Sequence, residues 1–153
     1  MRLLGNILWH IPFLGFISAI IVYLIGIILT VTVVAAPIGL GLMEYGKFLF
    51  APFKYEMISK KDLNVEQNKL WKTYSTVVMI LYLPIGICLT ILTVFQIAAV
   101  FFTIIGIPVA IVLAKSLGTY LNPVDKKCVH HAVAEEIARK KVQAEIKKAL
   151  GPG

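Results

Sequence analysis

The stretch Thr73–Ala114, TYSTVVMILYLPIGICLTILTVFQIAAVFFTIIGIPVAIVLA, holds forty-two residues without one Asp, Glu, Lys or Arg. A helix needs ~20 predominantly apolar residues to cross the hydrocarbon of a bilayer. A second stretch, from Leu3 to Met43, runs forty-one residues without such a charge. The chain has 153 residues, of which 59% are hydrophobic and 15% charged, with a mean hydropathy of +0.86. A soluble domain carries ~25% charged residues to keep its surface wet. Two uncharged stretches in so short a chain leave little protein to bury them. The expected fold class is therefore all-α, an integral membrane helical protein.

The stretch from Leu3 to Met43 begins just after Arg2, as a signal peptide would. It is far longer than the ~7–15-residue apolar core of such a peptide, and no small-x-small site closes it early, so the segment is expected to be retained. Cys88 and Cys128 lie in different settings and are expected to be free thiols. Cys128 with His130 and His131 lacks a second cluster to complete a tetrahedral set, so no metal or cofactor is expected.

Working outward, the two stretches repeat one another. Pro37 stands fifteen residues before Pro52, and Pro108 fifteen before Pro123. Upstream, Ile7-Leu8-Trp9-His10-Ile11-Pro12 is answered by Ile80-Leu81-Tyr82-Leu83-Pro84. These matches predict two proline-broken helical units. The organisation is residues 1–54 as first repeat, 55–76 as polar linker, 77–126 as second repeat and 127–153 as a basic amphipathic tail helix. Proline removes a backbone donor and crowds the preceding turn, so Pro12, Pro37, Pro84 and Pro108 are the expected helix joints. Broken helices at matching positions of two repeats point to a transport site. The plainer alternative is that these prolines mark helix ends near the headgroups.

Asn6-Ile7-Leu8-Trp9, and Thr103-Ile104-Ile105-Gly106-Ile107-Pro108 running on to Lys115, Pro123 and Val129, resemble the YccF family. The resemblance spans about residues 3–130. It implies a small bacterial inner-membrane protein with two inner membrane component domains, and it brings no mechanism with it. The first copy departs from the motif, reading Val33-Val34-Ala35-Ala36-Pro37, and Ala110 stands where the family often has glycine.

Lys and Arg gather after Lys115, which places the C-terminus in the cytoplasm by the positive-inside rule. Single crossings of each unit would put the linker outside. Hairpins would put it inside, and the Lys-rich linker favours hairpins, with four membrane segments of which two are short or re-entrant. Trp9, Trp71, Tyr74, Tyr82, Tyr45 and Tyr120 read as interfacial anchors.

Thr90, Thr93, Gln96 and Thr103 recur at helical spacing, as pore lining or as helix-packing glue. Glu44 and Lys115 occupy the same repeat position, as an ion pair or as two snorkelling side chains. No nucleophile–base pair or phosphate-binding glycine loop is present, so enzymatic activity is not expected. Net charge +7 follows from topology, and no nucleic-acid partner is implied. Two functions stay open. One is a homo-oligomeric channel or transport-system component. The other is a non-conducting scaffold or regulatory subunit that binds another membrane protein, or anionic lipid through its tail.

Overall fold

The computed structural model describes residues 2–11, 14–64, 66–104 and 106–151. Pro12, one of the expected joints, lies outside them. The elements run α1 Arg2–His10, α2 Gly15–Val31, α3 Ala36–Phe50, β1 Tyr55–Ser59, α4 Lys69–Phe101, α5 Ile107–Leu121, β2 Lys126–His130 and α6 His131–Ala149.

Helix α2 is a seventeen-residue run of apolar and small residues that stops at Val31. There Thr32 turns its hydroxyl back onto the Leu29 carbonyl at 2.7 Å, and Val33 takes a left-handed φ of 61°. The chain reverses into α3, whose Pro37 sits in the first turn, where its missing N–H would have had no helical partner. The α4–α5 corner is built alike: Thr103 donates to the Val100 carbonyl at 2.8 Å, and Pro108 occupies the first turn of α5. Pro37 and Pro108 therefore stand at breaks in the helices, as their chemistry predicts.

Each corner makes a helical hairpin. In the first, α2 and α3 touch backbone to backbone. A Cβ on Gly26 would come within 2.8 Å of the Gly39 carbonyl oxygen, and one on Gly39 within 2.6 Å of the Gly26 carbonyl oxygen. In the second, Gly86 of α4 lies against the carbonyls of Tyr120 and Leu121. Small residues at such crossings gain close packing where no hydrophobic force drives helices together.

Pro84 corrects the expectation of a joint there, because α4 runs through it unbroken for thirty-three residues. Contacts on both sides hold the two halves in line. Tyr74 donates to the Val33 and Val34 carbonyls, and Gly86 packs on the end of α5. Helix α4 also begins inside the expected linker.

The fold is mostly helical but not all-α. Strands β1 and β2 form a two-stranded antiparallel sheet with Tyr55 opposite His130, Met57 opposite Cys128 and Ser59 opposite Lys126. Buried Pro52 and Pro123 stop α3 and α5 and turn the chain into these strands. Residues 126–130, expected to open a long tail helix, are thus extended, and α6 begins only at His131. A lone two-stranded sheet is marginal; here it is packed against α3, and Phe48, Leu49, Val112 and Tyr45 form the core nearby.

One constant offset of 71 residues separates Ala36 from Ile107, Phe50 from Leu121, Pro52 from Pro123 and Tyr55 from Lys126. Met57 and Cys128 are related by the same offset and face one another at the centre of the sheet.

Outside the core, apolar side chains point outward. Ile80, Leu81, Ile85, Ile91, Leu92, Phe95 and Phe101 of α4 are each more than half exposed. Covering a side chain of this kind gains ~1.5–3 kcal/mol. With half to three-quarters of each exposed, the seven amount to roughly 6–13 kcal/mol, comparable to the ~5–15 kcal/mol that stabilises a whole domain. Four polar side chains go inward instead: Ser75, Thr93, Ser116 and Thr119 are buried.

Candidate functional site

The polar stripe on α4 divides on inspection. Thr90 donates to the Gly86 carbonyl and Thr93 to the Leu89 carbonyl, each at 2.7 Å. Thr93 is buried and Thr90 half-buried. Threonine hydroxyls satisfied by their own helix make a tolerable inward face, but they have spent their donor. Thr103 is committed to the corner, and Gln96 is exposed and borders a cavity.

That cavity, about 610 Å³, opens between the two hairpins. Its wall is drawn from both, and the constant offset pairs several of the contributors: Leu29 with Val100, Ile38 with Val109, Leu42 with Leu113, and Leu49 with Tyr120. The polar groups are few. Ser18 and Gln96 border it, and three tyrosines close its side. The Tyr45 hydroxyl donates to that of Tyr120 at 2.9 Å, and Tyr82 donates to the Tyr120 carbonyl at 3.1 Å. Trp9 Nε1 donates to the Leu49 carbonyl at 3.0 Å, so the carbonyls of Leu49 and Tyr120, one offset apart, are each taken by an aromatic from an earlier helix, α1 for Leu49 and α4 for Tyr120. Trp9 and Tyr45 are 6% and 2% exposed. They are wall and core, where the sequence suggested interfacial anchors.

Glu44 and Lys115 do not meet. Glu44 takes Lys47 at 2.7 Å one helical turn on, and its other oxygen accepts from the Cys128 backbone N–H at 2.9 Å. Lys115 reaches Glu56 at 3.1 Å. The reason is the antiparallel sheet: each helix reaches across to the strand of the other half, so Glu44 ends on β2 and Lys115 on β1. A single residue, Glu56, then gathers the second half. Its Oε1 also lies 2.8 Å from His131 Nδ1, and His131 Nε2 lies 3.0 Å from Glu135. Burial pushes the Glu56 carboxyl up, but the hydrogen bonds from Lys115 and His131 outweigh it and hold it below its ordinary value. On the opposite strand, burial first and the Glu44 carboxylate second push the Cys128 thiol up to about 12, against a smaller pull from Lys47. Cys88 and Cys128 are both free. Glu56 drew no attention in the sequence, since it lies in no apolar stretch and has no motif, and His131 was weighed there only as a metal ligand beside Cys128 and His130.

Residues 4–54 match the YccF family, described as an inner membrane component domain. The match covers α1 and the first hairpin. No curated protein and no solved structure matches the chain.

Proposed function

We propose that the chain is a duplicated, multi-pass inner-membrane protein acting as a component of a transport system, with the cavity between its hairpins as the site that meets the transported molecule. The membrane placement is supported by the inner membrane component domain at 4–54 and by α4, whose length and apolarity suffice for crossing. Helices α1 and α2 qualify only as a pair, bent by 78°. The duplication is supported by the constant offset that relates α3 to α5, Pro37 and Pro52 to Pro108 and Pro123, and β1 to β2.

The observation that carries the transport reading is the cavity wall, which both hairpins supply and in which several residues are paired by that offset. A site at the interface of two repeats is where alternating-access proteins place their substrate. The wall is mostly apolar with a few tyrosine hydroxyls and one amide, which suits an amphipathic molecule better than a hydrated ion. The Thr90 and Thr93 hydroxyls, already bonded, serve packing. A hydrated ion would need several copies with Gln96 turned to a shared axis.

Purified protein in liposomes tests this. Movement of a short-chain fluorescent phospholipid between leaflets is expected to exceed that in empty vesicles, and to fall at least fivefold when the cavity is filled by Leu42→Trp. Gln96→Leu should weaken it less. A potassium flux with no lipid movement would return the reading to an ion channel. The scaffold reading rests on α6, where Val133, Val142, Ile146 and Leu150 are exposed beside Arg139, Lys147 and Lys148. It takes over if neither probe moves and the protein instead holds a second membrane protein through that helix.

A further inference from the structure

A second recess, about 400 Å³, lies at the N-terminal end of α4, away from the central cavity. Its composition is graded. Pro37, Leu40 and Met79 supply an apolar wall, while Lys60, Lys61 and Lys72 supply three ammonium groups. None of the three makes an ion pair among the described residues. Lys60 gives one of its hydrogens to the Val124 carbonyl at 3.2 Å, leaving two. Two carboxylates, Asp125 and Glu66, also line the recess, and Asp125 is engaged by the Ser59 hydroxyl at 2.5 Å.

An independent feature marks the same place. Ser75 lines the recess, is 6% exposed, and its Oγ is buried without a hydrogen-bond partner among the described residues. Its neighbour Thr76 has bonded back to the Lys72 carbonyl, as helical hydroxyls in lipid usually do, whereas Ser75 has not. A buried hydroxyl left unpaired costs ~1–3 kcal/mol, which a bound acceptor would remove.

We propose that this recess binds the phosphate of an anionic phospholipid, with the headgroup held by Lys60, Lys61, Lys72 and Ser75 and an acyl chain along Leu40 and Met79. The apolar wall selects a lipid over free phosphate, and the excess of lysines over carboxylates selects an anionic over a zwitterionic headgroup. Trp71, at the rim, has the amphipathic ring that settles at headgroup depth. The site rests on the membrane placement above but not on transport.

Native mass spectrometry of the full-length protein, delipidated in detergent and given phosphatidylglycerol or phosphatidylcholine, tests the assignment. At equal concentration the protein is expected to retain at least fivefold more phosphatidylglycerol. Lys61→Gln with Lys72→Gln should abolish that preference, and Ser75→Ala should weaken retention with helix content unchanged. Lys147→Gln with Lys148→Gln in the tail should leave it intact. Equal retention of both lipids, an unchanged preference in the double lysine variant, or loss on changing the tail alone would overturn the site. Displacement of the lipid by millimolar inorganic phosphate would show an anion site and overturn the lipid. A chain recovered in the soluble fraction of cells would instead refute the membrane placement.

Discussion

Cys128 shows how far a residue's chemistry depends on partners that local sequence hides. It stands beside histidines in a basic stretch, a setting that ordinarily lowers a thiol's pKa. In the fold it faces inward from β2, and Glu44 of the opposite hairpin closes on its backbone N–H. Burial and that carboxylate raise the thiol to about 12, so at pH 8 the thiolate fraction is on the order of 10⁻⁴. Maleimide should therefore modify Cys128 at least tenfold more slowly than a thiol placed at exposed Lys148, in a Cys88→Ser background. Glu44→Gln removes the charge while keeping an acceptor for the N–H, and should speed the reaction severalfold. An unchanged rate would mean that burial alone controls it. Nothing near Cys128 in sequence signals this, because Glu44 lies 84 residues away.

The elements were legible where their cause is local and hidden where it is tertiary. Pro37 and Pro108 break helices because each follows a corner in which a threonine hydroxyl has already capped the preceding turn. Pro84 carries the same backbone penalty, yet α4 continues, since packing at Tyr74 and Gly86 holds both of its halves. The strands escaped notice because five residues are too few to show a period of two beside long apolar runs. Proline inside a helix costs ~3 kcal/mol, so Pro84→Ala should raise the melting temperature in detergent while helicity stays constant. Pro108→Ala, in a first turn that needs no N–H, should change stability by less than ~1 kcal/mol, and any change should be a loss of rigidity in the unfolded chain's favour. If Pro84→Ala lowers the melting temperature, the proline shapes the helix in a way that packing alone does not explain. The same contrast governs the candidate site: the Thr90–Thr93–Gln96 face was visible as a stripe, but only the folded hairpins reveal that the two hydroxyls are satisfied and the amide meets a cavity.

For the whole molecule, the sheet constrains topology more strongly than charge counting does. Antiparallel strands whose central partners, Met57 and Cys128, are one offset apart are related by a twofold axis perpendicular to the strands. A two-stranded sheet has free edges, and these strands and their flanks carry Lys54, Glu56, Lys60, Asp125, Lys126 and Lys127. On the proposed membrane placement, unpaired edge groups are excluded from hydrocarbon and the sheet belongs in water. An axis lying in the membrane plane would carry the sheet to mid-bilayer, whereas an axis along the membrane normal keeps it outside. The second arrangement makes the two halves parallel rather than inverted and puts the linker and the tail on one side. That side is the cytoplasm if the lysines follow the positive-inside rule. Single cysteines at Asn64 and Lys148, in a background lacking Cys88 and Cys128, are therefore expected to resist an impermeant maleimide in intact cells and to react together once the membrane is opened. Labelling of Asn64 alone in intact cells would require the linker and the tail to lie on opposite sides. Strands β1 and β2 could not then pair, and the halves would have to be inverted. Labelling of both in intact cells would keep the sheet and the parallel halves but reverse the molecule in the membrane. The experiment thus separates the architecture, which rests on hydrogen-bond register, from the orientation, which rests on charge.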